Sequence, residues 1–311
     1  MNAKAQFTAY IQNLQDTICQ GLEEVDGKAK FVEDKWERSG GGGGRTRVIK
    51  EGDVFEKGGV NISMVHGQLN EALQKQLKVQ HRSFYACGLS LVLHPFNPMV
   101  PTVHANYRFF ELYDDEGKAV DRWFGGGADM TPYYVWPEDA VHFHQILKKT
   151  SDPYGLALYP TFKEACDRYF YNHHRQEARG IGGLFYDYLR DQKMGLSIEK
   201  WQNFVEDMGQ AFLDGYLPIV RKRKIEAFGE AEKKWQEIRR GRYVEFNLIH
   251  DKGTLFGLKS NGRIESILMS LPATVRWEYD HHPAVGSREA SLLDYLKPKD
   301  WANFTLSSST N

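Results

Sequence analysis

Strand-like segments in this chain come in pairs joined by tight turns, without the intervening helices that a parallel sheet requires. Val48-Ile49 and Val54-Phe55 flank Glu51-Gly52, and Gly88 to Leu93 is matched by Tyr107 to Tyr113, followed by the turn Asp115-Glu116-Gly117. Further on, Tyr243, Glu245 and Asn247 alternate with Val244, Phe246 and Leu248, with turns at Asp251-Lys252-Gly253 and Asn261-Gly262. Asn-Gly is the strongest short hairpin signal. Helical spacing fills much of the rest. Phe7, Ile11, Leu14 and Ile18 form one amphipathic stripe, and PEDAVHFHQILKK starts a second helix at Pro137. Further helices are expected over about Thr161 to His174 and over Ile198 to Lys224, the latter weakened at Gly209, Gly215 and Pro218. GEAEKKWQEIRR should stop at Gly241, 287–297 closes the chain, and the polar stretch 67–84 reads as a helix or surface excursion. The prediction is an α+β fold, an antiparallel sheet covered by helices. The 311 residues show no repeat and no dividing linker, so one domain is expected over 1–311.

The charges nearly cancel, with 40 Lys and Arg against 41 Asp and Glu, which argues against a general nucleic-acid or membrane surface. Anion binding must be local. Cys19, Cys87 and Cys166 are too scattered for a disulfide framework or a cysteine metal cluster, and suit a reducing cytosol. The N-terminus lacks a signal-peptide core, and no segment reaches the ~20 apolar residues that span a membrane. A cytoplasmic protein is expected.

The chemistry concentrates between Ser90 and Asp129. His94 and His104 bracket the proline-rich HPFNPMVPTVH, and His104, Asn106 and Arg108 alternate, so on a strand they share one face. Histidine near an arginine suits proton transfer on an anionic substrate. Asp129 follows a predicted turn, Gly125-Gly126-Gly127, and reads as a base or a partner for heterocyclic N–H groups, or as a cap for the next turn. Arg179, beside Gly180 and Gly182-Gly183, and Arg263, after Asn261-Gly262, are anion cradles. Gly40 to Gly44 lacks the Lys-Ser/Thr of a phosphate loop, and reads as a flexible loop or a lid carrying Arg45 and Arg47. His142, His144, His173 and His174 fall on the two middle predicted helices, without a recognisable metal-ligand spacing.

Six blocks, WERSGGGGGRTRV, GLSLVLHPFNPMVPTVHANYRFF, WFGGGADMTPYY, EARGIGGLFYDYL, RRGRYVEFNLIHDKGTLFGL and RIESILMSLPATVRWEY, together resemble oxygen-dependent coproporphyrinogen-III oxidase. The resemblance runs from about residue 5 to Trp301. It implies a large flat sheet between helices, and a homodimer formed through about 243–278 within a catalytic and dimerisation core of 43–278. It also implies oxidative decarboxylation of two propionates of coproporphyrinogen III to vinyls, with dioxygen as acceptor. His104 corresponds to a proton donor, and Asp129 and Arg179 to catalytic residues. Ser90, Asn106, Tyr107, Arg108, Asn261, Gly262 and Arg263 correspond to substrate contacts. His94, His144 and His174 match positions described as ligands for a divalent metal, whose requirement stays open. No other cofactor is implied. Asp129 is expected to bind pyrrole N–H groups, with Arg108 and Arg179 on the departing propionate. Rival readings are a metal-dependent oxygenase built on those three histidines and a silent porphyrin-binding protein.

Overall fold

The computed structural model describes residues 3–69, 71, 74–75, 79, 83–259 and 262–305, with only the backbone at 256 and 259. The order is helix α1 (Ala3–Asp26) and strands β1 (Val32–Glu37), β2 (Gly42–Lys50), β3 (Phe55–Gln68), β4 (Ser83–Pro95), β5 (Thr102–Tyr113) and β6 (Ala119–Thr131). Helices α2 (Pro137–Ser151) and α3 (Leu158–Tyr169) follow, then the two-residue strands β7 (Tyr171–Asn172) and β8 (Glu177–Ala178) and the longer β9 (Gly182–Leu189). The rest is helical: α4 (Ile198–Gln210), α5 (Phe212–Arg223), α6 (Glu230–Ile249), α7 (Lys252–Lys259), α8 (Ile264–Leu268) and α9 (Arg288–Tyr295).

The architecture is α+β. Strands β1 to β6 pair in chain order as an antiparallel meander, and β9 adds to β6. Alternation gives the sheet two unlike faces. Val60, Leu91, Ala105, Ala128 and Leu184 form one row across it, and Ile62, Leu89, Tyr107 and Tyr186 lie in the next; all are buried. Helix α1 lies on this face: Phe7 packs on Phe109 and edge-on to Phe124, at 6.3 and 5.1 Å between ring centres. Helices α2, α4 and α5 extend the cover through Phe143, Trp201, Phe204 and Tyr216.

Several expectations need correction. Gly42 to Gly44 are not a loop but the start of β2, where a Cβ on Gly44 would stand 2.3 Å from the Trp36 ring. Arg45 and Arg47 carry no lid, because they pair with Asp16 on α1 and Glu33 on β1. The predicted turn Gly125-Gly126-Gly127 is strand. Gly127 has φ +154° and a Cβ there would lie 2.1 Å from the Leu184 carbonyl oxygen, so glycine is what lets β9 close on β6. His173 and His174 sit in the β7–β8 turn beyond α3. The expected Ile198–Lys224 helix is two helices that meet at Ala211. The hairpins expected at 243–262 are absent among the described residues: α6 runs unbroken through Gly241, which is no cap but the place where the carbonyl of Arg276 and the ring of Trp277 pack against the helix. Trp235, Ile238, Tyr243 and Phe246 bury one helical stripe, and this outweighs the short period-two signal. The stretch expected at 67–84 ends in β3 and β4 and otherwise lies largely outside the described residues.

Candidate active site

The sheet face turned away from the core carries three adjacent cross-strand rows. They run Gly59–Val92–His104–Asp129–Gly183, Thr46–Asn61–Ser90–Asn106–Gly127 and Gly44–Ser63–Gly88–Arg108–Gly125. Side chains here are mostly small, so the surface is flat. Strands stand about 4.8 Å apart, and five of them make a floor about 19 Å wide. A Cβ on Gly88 would lie 2.8 Å from Arg108 Cγ, so the bare strand leaves room for the arginine stem.

Over this floor lies a cavity of about 220 Å³. Ser90, Val92, His104, Asn106 and Arg108 form its base, Tyr169, Phe170, Arg179, Tyr243 and Asn247 a wall, and Thr254, Ser266, Ile267, Met269 and Ser270 its roof. Three contacts fasten the roof to the sheet: Thr46 with Ser266 at 3.0 Å, the Arg263–Asp34 ion pair, and His94 Nε2 to the Ser270 carbonyl at 2.9 Å.

At the base of the wall, Arg179 Nη2 donates to both oxygens of Asp129 at 2.8 Å. His104 Nδ1 donates to Asp129 Oδ1 at 2.8 Å, and Asn106 Nδ2 stands 3.2 Å from His104 Nε2. Asp129 is 1% and Arg179 4% exposed. Burial alone would raise the Asp129 carboxyl, but the Arg179 charge and the His104 bond hold it below the usual carboxylate range. The Arg179 guanidinium is caged by the rings of Phe170, Tyr243 and Phe246, 4.1 to 4.8 Å from its carbon, and Asn247 Oδ1 accepts from Nη1 at 3.0 Å. An ionised Asp129 can only accept, so His104 carries its proton on Nδ1 and turns Nε2 toward the cavity.

The predicted set is therefore only partly gathered. Ser90, His104, Asn106, Arg108, Asp129 and Arg179 meet in one place. Asp129, with both oxygens taken and almost no exposure, has no free edge for a pyrrole N–H. Arg179 commits Nη2 to Asp129 and Nη1 to Asn247, while its buried Nε has no hydrogen-bond partner among the described contacts. Tyr107 points the opposite way, as its odd position on β5 dictates, and its hydroxyl donates to the Met208 carbonyl in the core at 3.2 Å. Arg263 turns to Asp34, Gly262 bonds the Gly257 carbonyl between α7 and α8, and Asn261 lies outside the described residues. Among the described arginines lining the cavity, Arg108 alone has no ion-pair partner.

The histidines matched to a metal do not converge. His94 bonds Ser270 and Thr102, buried His144 bonds the Tyr159 hydroxyl and the Ile181 carbonyl, and His174 bonds Glu245 and His250. Each ring has both nitrogens engaged, and among the described residues no group of three His, Cys, Asp or Glu side chains is placed to hold an ion. The donor set of these three histidines does not fit a metal. His94 and His144 instead link stability to pH. Burial pushes His144 down to about 3 and His94 well below the ordinary value. A histidine held neutral favours the fold above its unfolded pKa near 6.5 and opposes it as pH falls. Between pH 6.5 and 5, His144 should remove about 2 kcal/mol. Denaturation at pH 7 and pH 5 should show this loss, with a flatter dependence for His144→Gln; equal slopes would contradict it.

Sequence reasoning found Arg179 but missed the part of the wall that α6 supplies. Tyr243, Asn247 and Asp251 all line the cavity and recur every four residues, the helical signal that period-two alternation masked.

A histidine oriented by a buried carboxylate, beside an unpaired cation on a flat floor, is an arrangement suited to enzyme chemistry on an anionic substrate. The sequence model of the coproporphyrinogen III oxidase family matches residues 6–301, and the chain belongs to that family. It is an oxidoreductase of haem biosynthesis, and its reaction is an oxidative decarboxylation. No helix among the described residues is long and apolar enough to cross a membrane.

Proposed function

We propose that the chain converts two propionates of coproporphyrinogen III to vinyl groups with dioxygen as acceptor, giving protoporphyrinogen IX. In each step the C–H bond next to the ring and the C–C bond to the carboxylate break. Two electrons pass to dioxygen, and carbon dioxide and hydrogen peroxide leave. The observation that carries this reading is Arg108, unpaired on the same strand face as His104 Nε2, above a floor wide enough for a tetrapyrrole. Arg108 holds a carboxylate while His104 takes the proton. Asp129 and Arg179 act through His104 by fixing its tautomer. Dioxygen as acceptor is supported by the three cysteines, which sit buried on α1, β4 and α3 and cannot share a cluster.

The test is stoichiometric. Each vinyl formed should consume one dioxygen and release one hydrogen peroxide, and turnover should cease under argon; undiminished turnover without oxygen would sink the reading. Arg108→Met should raise KM about 10- to 100-fold, the worth of charge-assisted bonds to a carboxylate. An unchanged KM would remove Arg108 from that role.

The proposal extends to a cytoplasmic homodimer formed through about 243–278, inside a core of 43–278. Exposed Leu248, Ile249, Ile264 and Trp277 in that stretch support it. Sedimentation equilibrium should return twice the chain mass; a monomer would refute it.

A further inference from the structure

The second neighbour of His104 has a polarity that the first does not require. Nδ1 is committed to Asp129, so in the neutral ring Nε2 is an acceptor, and the group it meets is the Asn106 amide nitrogen, a donor. The chain from Arg179 through Asp129 and His104 to Asn106 is matched donor to acceptor at every link. Asn106 Oδ1, the other end of the amide, is buried and has no hydrogen-bond partner. Of its two cross-strand neighbours, Gly127 offers it no side chain, and the Ser90 hydroxyl on β4 does not bond it. A native structure rarely leaves such an acceptor unused.

Once Nε2 takes a proton, an N–H would face the Asn106 N–H₂, donor against donor. A half-turn of the amide resolves the conflict by presenting Oδ1 to the new N–H. We infer that Asn106 is a positioning residue whose amide turns over with each proton His104 takes or gives, so that both states of the imidazole are held in one place. This rests on the reading of His104 as the proton-transfer group. The amide nitrogen caps Nε2 at rest and must yield before the ring accepts a proton, and the oxygen then secures the imidazolium. The remaining charged and titratable groups facing His104 are Arg108 on β5, Tyr169 on α3, Tyr243 on α6 and Asp251 just beyond α6. None of them hydrogen-bonds a ring nitrogen among the described contacts.

The experiment compares pH profiles of kcat and KM for the wild-type protein, N106D, N106L and H104Q. In N106D a carboxylate accepts only, favours the imidazolium, and should move the limb of the profile reporting His104 up by about one to three pH units. N106L, with neither donor nor acceptor, should lower kcat about 10- to 100-fold while KM changes far less. A limb that stays in place in N106D with only KM raised would overturn the inference and leave Asn106 as a substrate contact. Wild-type turnover in H104Q would instead remove the parent reading, and this inference with it. A readout independent of activity uses nitrogen-15-labelled histidine in the wild-type protein, with H104Q to assign the signal. The neutral ring should carry its proton on Nδ1, with Nε2 unprotonated and hydrogen-bonded. A proton on Nε2 in the neutral ring would overturn the inference whatever the variants do.

Discussion

Replacing His104 by glutamine should lower kcat by about 10² to 10⁴, the usual loss when a positioned acid or base is removed, with KM little altered. The fold should persist, because a glutamine amide can still donate to Asp129 and the position is partly open to the cavity rather than packed in the core. Steady-state turnover read beside the melting temperature separates the two effects. Turnover within a few-fold of wild type would mean that the proton moves through another group.

The second large effect concerns stability. Arg179→Met leaves Asp129 ionised, buried and without its cation, and breaking one side of such a pair costs about 3–5 kcal/mol. The aromatic cage around the guanidinium would also lose the charge it holds. Adding Asp129→Leu should restore most of the stability, since an apolar pair of similar volume replaces a buried ion pair with little loss. Activity should stay low, because His104 has then lost the acceptor that sets its tautomer. Denaturant unfolding of the single and double variants checks this. A double variant no more stable than Arg179→Met would show that the pair is held by packing rather than by charge.

The legible part of this molecule was the part written in short periods. Strands β4 and β5 were legible as hairpin partners ahead of the Asp115–Gly117 turn, whereas β6 was hidden by its three glycines, and the shared face of His104, Asn106 and Arg108 followed from their spacing alone. The Asp129–Arg179 contact was not legible in its physical sense. Residues 50 apart became one buried ion pair, and that pairing occupies both oxygens of Asp129. The α6 part of the wall was lost for another reason: Tyr243 to Leu248 satisfies a strand period as well as a helical one over six residues. Only burial of Trp235, Ile238, Tyr243 and Phe246 on one stripe separates them. The three histidines that the resemblance matched to a metal lie apart because they belong to different parts of the fold. His144 belongs to the helices on the core face, and His174 to the turn between β7 and β8.

The meander also sets an order of assembly. Strands β1 to β6 each pair with the strand before them, so their contacts close short loops at low entropic cost. The exception is β9, which arrives after two helices to cap the edge at β6. It is preceded directly by Arg179, the cation that makes Asp129 tolerable within the sheet. Until that edge closes, Asp129 is a carboxylate beside water, and afterwards it is a fixed anchor for a histidine. The strand that finishes the sheet thus also completes the site, because the covering of Asp129 and its cation come from one stretch of chain.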